Sequence, residues 1–216
     1  MLLKSEIYLI KNLGTLLLFG CLYSSFSYAQ GIDCSTAAQT KLSKVCNDDF
    51  SELREKLNDQ HLTAYLMSDA PIRLIEDTQQ LWMQRLQQCK SLNCYTQQFD
   101  VRIDQLNFFT SMNQSMTQHY LKYENGQFAA QPVHLQIHQL SKNSIKIEGL
   151  AYRNPNNRLE SQSIAFLAYT TPEQKTEITD NEHDCSYQFD YSKAILKIHT
   201  RQKGCERFAG IYRLYD

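Results

Sequence analysis

The sequence predicts an α+β protein: an N-terminal disulfide-stapled antiparallel helical bundle followed by a small antiparallel β domain. Three features of the 216 residues carry that expectation. Apolar residues recur at helical spacing as far as about residue 122, and from residue 133 they alternate with a period of two. Beyond residue 30 the cysteines fall as Cys34, Cys46, Cys89 and Cys94 in the first stretch and Cys185 and Cys205 in the second. The expected division is a signal peptide at 1–29, a helical domain at 30–122, a linker at 123–132 and a β-rich domain at 133–216.

The leader is read from its chemistry. Lys4 and Lys11 precede the apolar run Leu13 to Tyr23, and Ser27 and Ala29 place small residues where a signal peptidase needs them. The run is shorter than the roughly 20 apolar residues of a membrane-spanning helix, and no later stretch competes with it, so no transmembrane segment is expected. Cleavage after Ala29 removes Cys21 and leaves an even set of cysteines. The rival exit is a lipoprotein acylated at Cys21, with Leu18-Phe19-Gly20-Cys21 as its lipobox, although Phe19 is bulky where a small residue is usual. Either exit delivers the chain to an oxidising compartment, periplasmic or secreted, or the outer membrane for the lipoprotein. There the six cysteines read as three disulfides. A zinc site on the first four is disfavoured because they lack C-x-x-C knuckles.

Three main helices are expected. Asp49 stands three residues before Glu52 in a capping-box arrangement, ahead of a stripe of Phe50, Leu53, Leu57 and Ala64. Pro71 suits a first helical turn and opens a second stripe, Ile72, Ile75, Trp82, Leu86 and Cys89. The third is a long seam from Tyr95 through Phe99, Ile103, Leu106, Phe109, Met112 and Met116 to Tyr120. A shorter helix, Thr36 to Val45, leads in.

Beyond Asn125-Gly126 and Pro132 the pattern is that of strands. Val133, Leu135 and Ile137 alternate with His134, Gln136 and His138, and the pattern returns at Ile145 and Ile147, Ile164 and Phe166, Tyr187 and Phe189, and Leu196 and Ile198. Phe208, Gly210 and Tyr212 belong to a last strand. Five or six short antiparallel strands, each with one solvated face, are expected, with loops at Asn154 to Asn157 and Thr171 to Asp184.

Composition excludes several functions. A formal net charge of −1 gives no basic excess with which to neutralise a nucleic-acid backbone. The seven glycines form no dinucleotide, phosphate-loop or nucleophile-elbow motif, so no cofactor is expected. His134 and His138 share a strand face but stand about 13 Å apart, too far to chelate one ion, and are expected to be solvated. His183 and Cys185 are close in sequence, but a disulfide-bonded cysteine is no nucleophile. Paired catalytic carboxylates cannot be nominated, because acidic residues cluster at helix starts and in the loop before Cys185. The chain is therefore read as non-enzymatic.

Asp33-Cys34, Cys46, Gln79 three before Trp82, Arg85, Cys89, Cys94 and Arg102-Ile103 with Leu106 make an ordered constellation. This pattern resembles the N-terminal domain of the LprI-type lysozyme inhibitors over residues 33–107. Gln79, Arg85 and Arg102 are read as partners of neighbouring helices rather than ligand contacts, and Trp82 as a core anchor. The resemblance implies inhibition of lysozyme by direct binding. The alternative is a structural or adaptor module of the cell envelope that binds another envelope protein. Lysozymes are strongly basic, so an acidic protrusion is the expected contact: Glu177, Asp180, Glu182 and Asp184, in the segment that begins at Glu173. For the staples, Cys185 is expected to join Cys205. Cys34 with Cys89 and Cys46 with Cys94 is preferred for the helical part, the swapped partners remaining open.

Overall fold

A computed structural model describes residues 32, 34, 42–110 and 117–215. The leader with Cys21, most of the expected helix from Thr36 to Val45, and the seam residues Met112 and Met116 lie outside the described residues. Short 3-10 turns at Ser43–Cys46 and Asp48–Phe50 lead into three helices: α1 (Ser51–Met67), α2 (Ile72–Leu86) and α3 (Leu92–Thr110). Nine strands follow: β1 (Thr117–Glu124), β2 (Gln127–Phe128), β3 (Val133–Ser141), β4 (Ser144–Tyr152), β5 (Ser163–Thr170), β6 (Glu177–Thr179), β7 (Ser186–Ser192), β8 (Ile195–His199) and β9 (Gly210–Tyr215).

The helices match most of their stripes, although Ile72 at the start of α2 is exposed. Leu57, His61 and Ala64 are the buried positions of α1. The carbonyl of Pro71 accepts the first intrahelical bonds of α2, from the N–H groups of Leu74 and Ile75. Trp82 is buried, edge-on to Phe99 at 5.7 Å, and its Nε1 donates to the carbonyl of Gln98 at 2.7 Å. Helix α3 is buried on more than one side: Tyr95, Phe99, Ile103 and Leu106 are joined inside by Gln98, Val101, Arg102 and Gln105. A helix packed against other helices on one flank and a sheet on the other keeps only a narrow wet stripe, here Asn93, Thr96, Asp100, Asp104 and Asn107.

That second flank corrects the expected layout. The described chain does not form a bundle followed by a small β domain; the three helices lie against an antiparallel sheet in the order β5-β4-β3-β1-β9-β8-β7-β6, which curls into a nearly closed barrel. Its central strand β1 occupies residues given to the third helical seam, and Tyr120 faces the barrel core. Asn125 and Gly126, both at positive φ (52° and 80°), make the two-residue turn that returns the chain into β2, so 123–128 is a hairpin rather than a linker. The stretch expected as loop from Thr171 to Asp184 contains β6, and Phe208 sits in a 3-10 turn ahead of β9.

Two apolar cores result. One fills the barrel with Leu135, Ile147, Phe166, Phe189, Leu196 and Tyr212 among others. Gly149 makes room there, since a Cβ on it would stand 2.5 Å from Leu135 Cδ2. The other lies between the helices and the outer face of the sheet, where Leu121 and Tyr215 join the helical residues.

The helical staples differ from the expected pairing. Cys34 joins Cys46, Cys89 joins Cys94, and only Cys185 with Cys205 is as expected. Cys89 lies in the α2–α3 corner and Cys94 in the first turn of α3, only 5 residues on. Each bridge thus closes a local loop, and the helices are held together by their buried stripes instead. The disulfides are those of a chain folded in an oxidising environment, extracellular or periplasmic. No described helix is long and apolar enough to cross a membrane.

Candidate partner-binding surface

The acidic segment is built around one buried carboxylate. Asp180 follows β6 and is 0 % exposed. Its Oδ1 accepts the N–H of Leu167 on β5 at 3.1 Å and that of Glu182 at 3.1 Å, and its Oδ2 pairs with Nδ1 of His183 at 2.9 Å. The backbone adds a bond from the Asn181 N–H to the Leu167 carbonyl at 2.7 Å and one from the Asp180 N–H to the Cys185 carbonyl at 2.8 Å. Asp180 therefore closes the seam between the first and last strands of the sheet, and its acceptors are consumed inside the fold. Of the four expected contact residues, Glu177, Glu182 and Asp184 are the exposed ones.

These three are carried on a rigid mount. Cys185 is bonded to Cys205, the Ser186 N–H donates to Oε1 of Gln202 at 3.0 Å, and Thr200 Oγ1 donates to the Ser186 carbonyl at 2.8 Å. Asp184 sits at φ 56°, a left-handed turn position that short polar residues tolerate. Beside this mount the outer surface of β6, β7 and β8 forms a cleft of about 690 Å3. Glu173, Glu177, Gln188, His199 and Arg201 are among the residues that line it. The structure thus brings Glu177 to the cleft rim and sets Glu182 and Asp184 on the loop that follows β6.

The histidines expected to be solvated are buried, which corrects that reading. His134 and His138 are 0 % exposed, and α3 packs over the outer face of β3 at His134. The Phe109 ring lies 4.8 Å from the His134 ring, and Nε2 of Gln136 donates to the Phe108 carbonyl at 3.3 Å. His138 Nδ1 pairs with Thr117 Oγ1 at 3.0 Å, and its Nε2 faces Glu148 at 3.2 Å. Burial holds His134 well below the usual imidazole range, helped by the nearby His119 and Arg102, and lowers His119 to about 4 against the pull of Asp69. His119 passed unnoticed in sequence because its strand was read as helix.

The residues of the resemblance converge on the helix–sheet boundary. Arg102, fully buried, donates to Gln79 Oε1 (2.9 Å), Thr78 Oγ1 (3.1 Å), Gln105 Oε1 (2.6 Å) and the Ile75 carbonyl (3.3 Å). Arg85 Nε donates to Gln98 Oε1 at 3.2 Å. As the spacing suggested, these side chains knit neighbouring helices. Among the described residues no group of three His, Cys, Asp or Glu side chains is arranged to hold a metal ion.

No protein-family model, curated protein or solved structure matches this chain.

Proposed function

We propose that this protein is a secreted, non-catalytic binding protein of the bacterial envelope that engages a basic protein partner, a lysozyme in the first instance, through the acidic rim beside the β6–β7–β8 cleft. The observation that carries this reading is the rigid display of Glu177, Glu182 and Asp184: all are exposed, while Asp180 and the Cys185–Cys205 bridge hold their backbone. Preorganised charge favours encounter and register without a large ordering cost on binding. The resemblance of residues 33–107 to the LprI-type inhibitors supplies the choice of lysozyme, and the helical layer acts as the barrel's support rather than as the contact.

The test is residual muramidase activity of several lysozymes against concentration of the mature protein, with association rates at two salt concentrations. Inhibition that weakens as salt rises is expected. The triple variant Glu177→Gln, Glu182→Gln, Asp184→Asn should associate on the order of tenfold more slowly while keeping its melting temperature. An unchanged rate removes the loop from the interface. No effect of the wild-type protein on any lysozyme transfers the reading to an envelope adaptor.

A further inference from the structure

Arg85 has a donor to spare in a place where spare donors are costly. Only 4 % exposed, it gives Nε to Gln98 Oε1 at 3.2 Å and Nη1 to the Arg153 carbonyl at 2.8 Å. Its Nη2 meets no acceptor among the described residues. The guanidinium lies 5.1 Å from the centre of the Tyr152 ring, whose buried hydroxyl is likewise without a partner among them. The charged side chains acting most strongly on Arg85 besides Tyr152 are Arg153 and Arg207, both cations. Arg102, another buried cation at this boundary, is satisfied by neutral oxygens. A buried charge with a free N–H and no counter-ion is the arrangement an anion relieves.

Two spaces adjoin the Arg85 side chain. Arg85 lines both a small inner cavity of about 10 Å3, shared with Trp82 and Tyr152, and an outer cleft of about 140 Å3 between α2 and the β1–β2 hairpin. Gln84, Gln88 and Gln127 supply amides to the outer cleft, and Phe128 and Leu81 supply apolar wall. One free guanidinium nitrogen suits a singly charged acceptor, whereas a dianion would enter half-neutralised. Side-chain amides, which both donate and accept, suit the peptide groups beside such an acceptor.

We propose that the α2–hairpin cleft binds a carboxylate, anchored on Nη2 of Arg85, with Gln84, Gln88 and Gln127 receiving the atoms behind it. The carboxylate can belong to a small free acid or to the C-terminus of a peptide. This site is independent of the acidic rim.

The chain carries its own reporter. Trp82 is the single tryptophan, lines the inner cavity, and donates to the carbonyl of the same Gln98 whose side chain holds Arg85. Titrating the mature protein with sodium acetate, N-acetyl-Ala-Ala and the C-terminal amide of that dipeptide, at constant ionic strength set by chloride, separates the possibilities. A saturable fluorescence change with a free carboxylate and none with the amide is expected. The dipeptide binding at least tenfold tighter than acetate identifies a chain terminus, and equal affinities identify a small acid. Gln84 and Gln88 are exposed, so the double variant Gln84→Ala, Gln88→Ala should fold normally and weaken the dipeptide about fivefold or more. Arg85→Lys, which keeps the charge but loses the forked donors, should abolish saturation with either acid. The proposal is overturned if acid and amide give the same response, if exchanging chloride for another anion reproduces it, if no acid saturates, or if a folded Arg85→Lys protein binds as wild type does.

Discussion

Asp180 Oδ1 lies 3.1 Å from the backbone nitrogen of Leu167, and this side-chain acceptor does at the β5–β6 seam what a strand carbonyl does elsewhere in the barrel. The acidic segment thus divides into one carboxylate that belongs to the fold and neighbours that face solvent. Because β6 has only three residues, its edge cannot supply a full ladder to β5, and the carboxylate makes up part of the difference.

Asp180→Ala should therefore destabilise the protein by about 2–4 kcal/mol, leaving the N–H groups of Leu167 and Glu182 without their acceptor. Glu182→Gln, at an exposed neighbouring position, should change stability by less than about 0.5 kcal/mol. Urea unfolding followed by circular dichroism measures both. Hydrogen exchange at Leu167 should rise selectively in the alanine variant.

Acidification should loosen the helix–sheet boundary. Unfolded imidazoles protonate near pH 6.5, whereas folded His119 does so at about 4 and burial holds His134 well below the usual imidazole range. The unfolded chain then binds more protons below pH 6.5, so the contribution is complete above that pH and declines as pH falls toward 4, by up to about 1.4 kcal/mol per pH unit for each histidine. Asp69 lies 3.7 Å from His119 and can receive its charge, but the groups acting on His134, namely His119 and Arg102, are cationic or become so. His134→Phe, placed against Phe108 and Phe109, should flatten the pH dependence between 6.5 and 4 without lowering stability at pH 7. Melting temperatures across that range decide it.

Trp82 combines packing with one hydrogen bond, and two variants separate them. Trp82→Ala should cost about 3–5 kcal/mol through the cavity it leaves beside Phe99. Trp82→Phe retains most of the apolar contact and loses only the indole's bond to the Gln98 carbonyl, which keeps its place in the α3 hydrogen-bond ladder, a loss of about 0.5–1.5 kcal/mol. Chemical denaturation of both proteins provides the comparison.

Loss of Cys185–Cys205 should release the mount of the acidic loop. The bridge spans 20 residues, for which chain entropy gives about 3 kcal/mol. A Cys185→Ser, Cys205→Ser double variant should lose about that much stability, read from its urea midpoint.

Much of the local structure was legible in sequence. The stripe Ile75, Trp82 and Leu86 and the alternation from Val133 to Ile137 are consequences of backbone geometry acting over a few residues, and each appears where its spacing placed it. The cysteines likewise implied an oxidising compartment, because their number and context constrain chemistry without reference to fold. Tertiary structure alone decided the rest. Tyr120 continues a helical period in sequence but lies on a strand, since hydrogen bonding between β3 and β9 outweighs a local apolar spacing. His134 and His138 alternate with apolar residues as solvated positions do, and only tertiary packing over β3, by α3 at His134, buries them. Asp180 is indistinguishable in sequence from Glu177 and Glu182, because its role depends on the N–H of a residue thirteen positions away across the barrel seam. Periodicity reports which side of an element is apolar; which second element covers the other side is a property of the assembled chain.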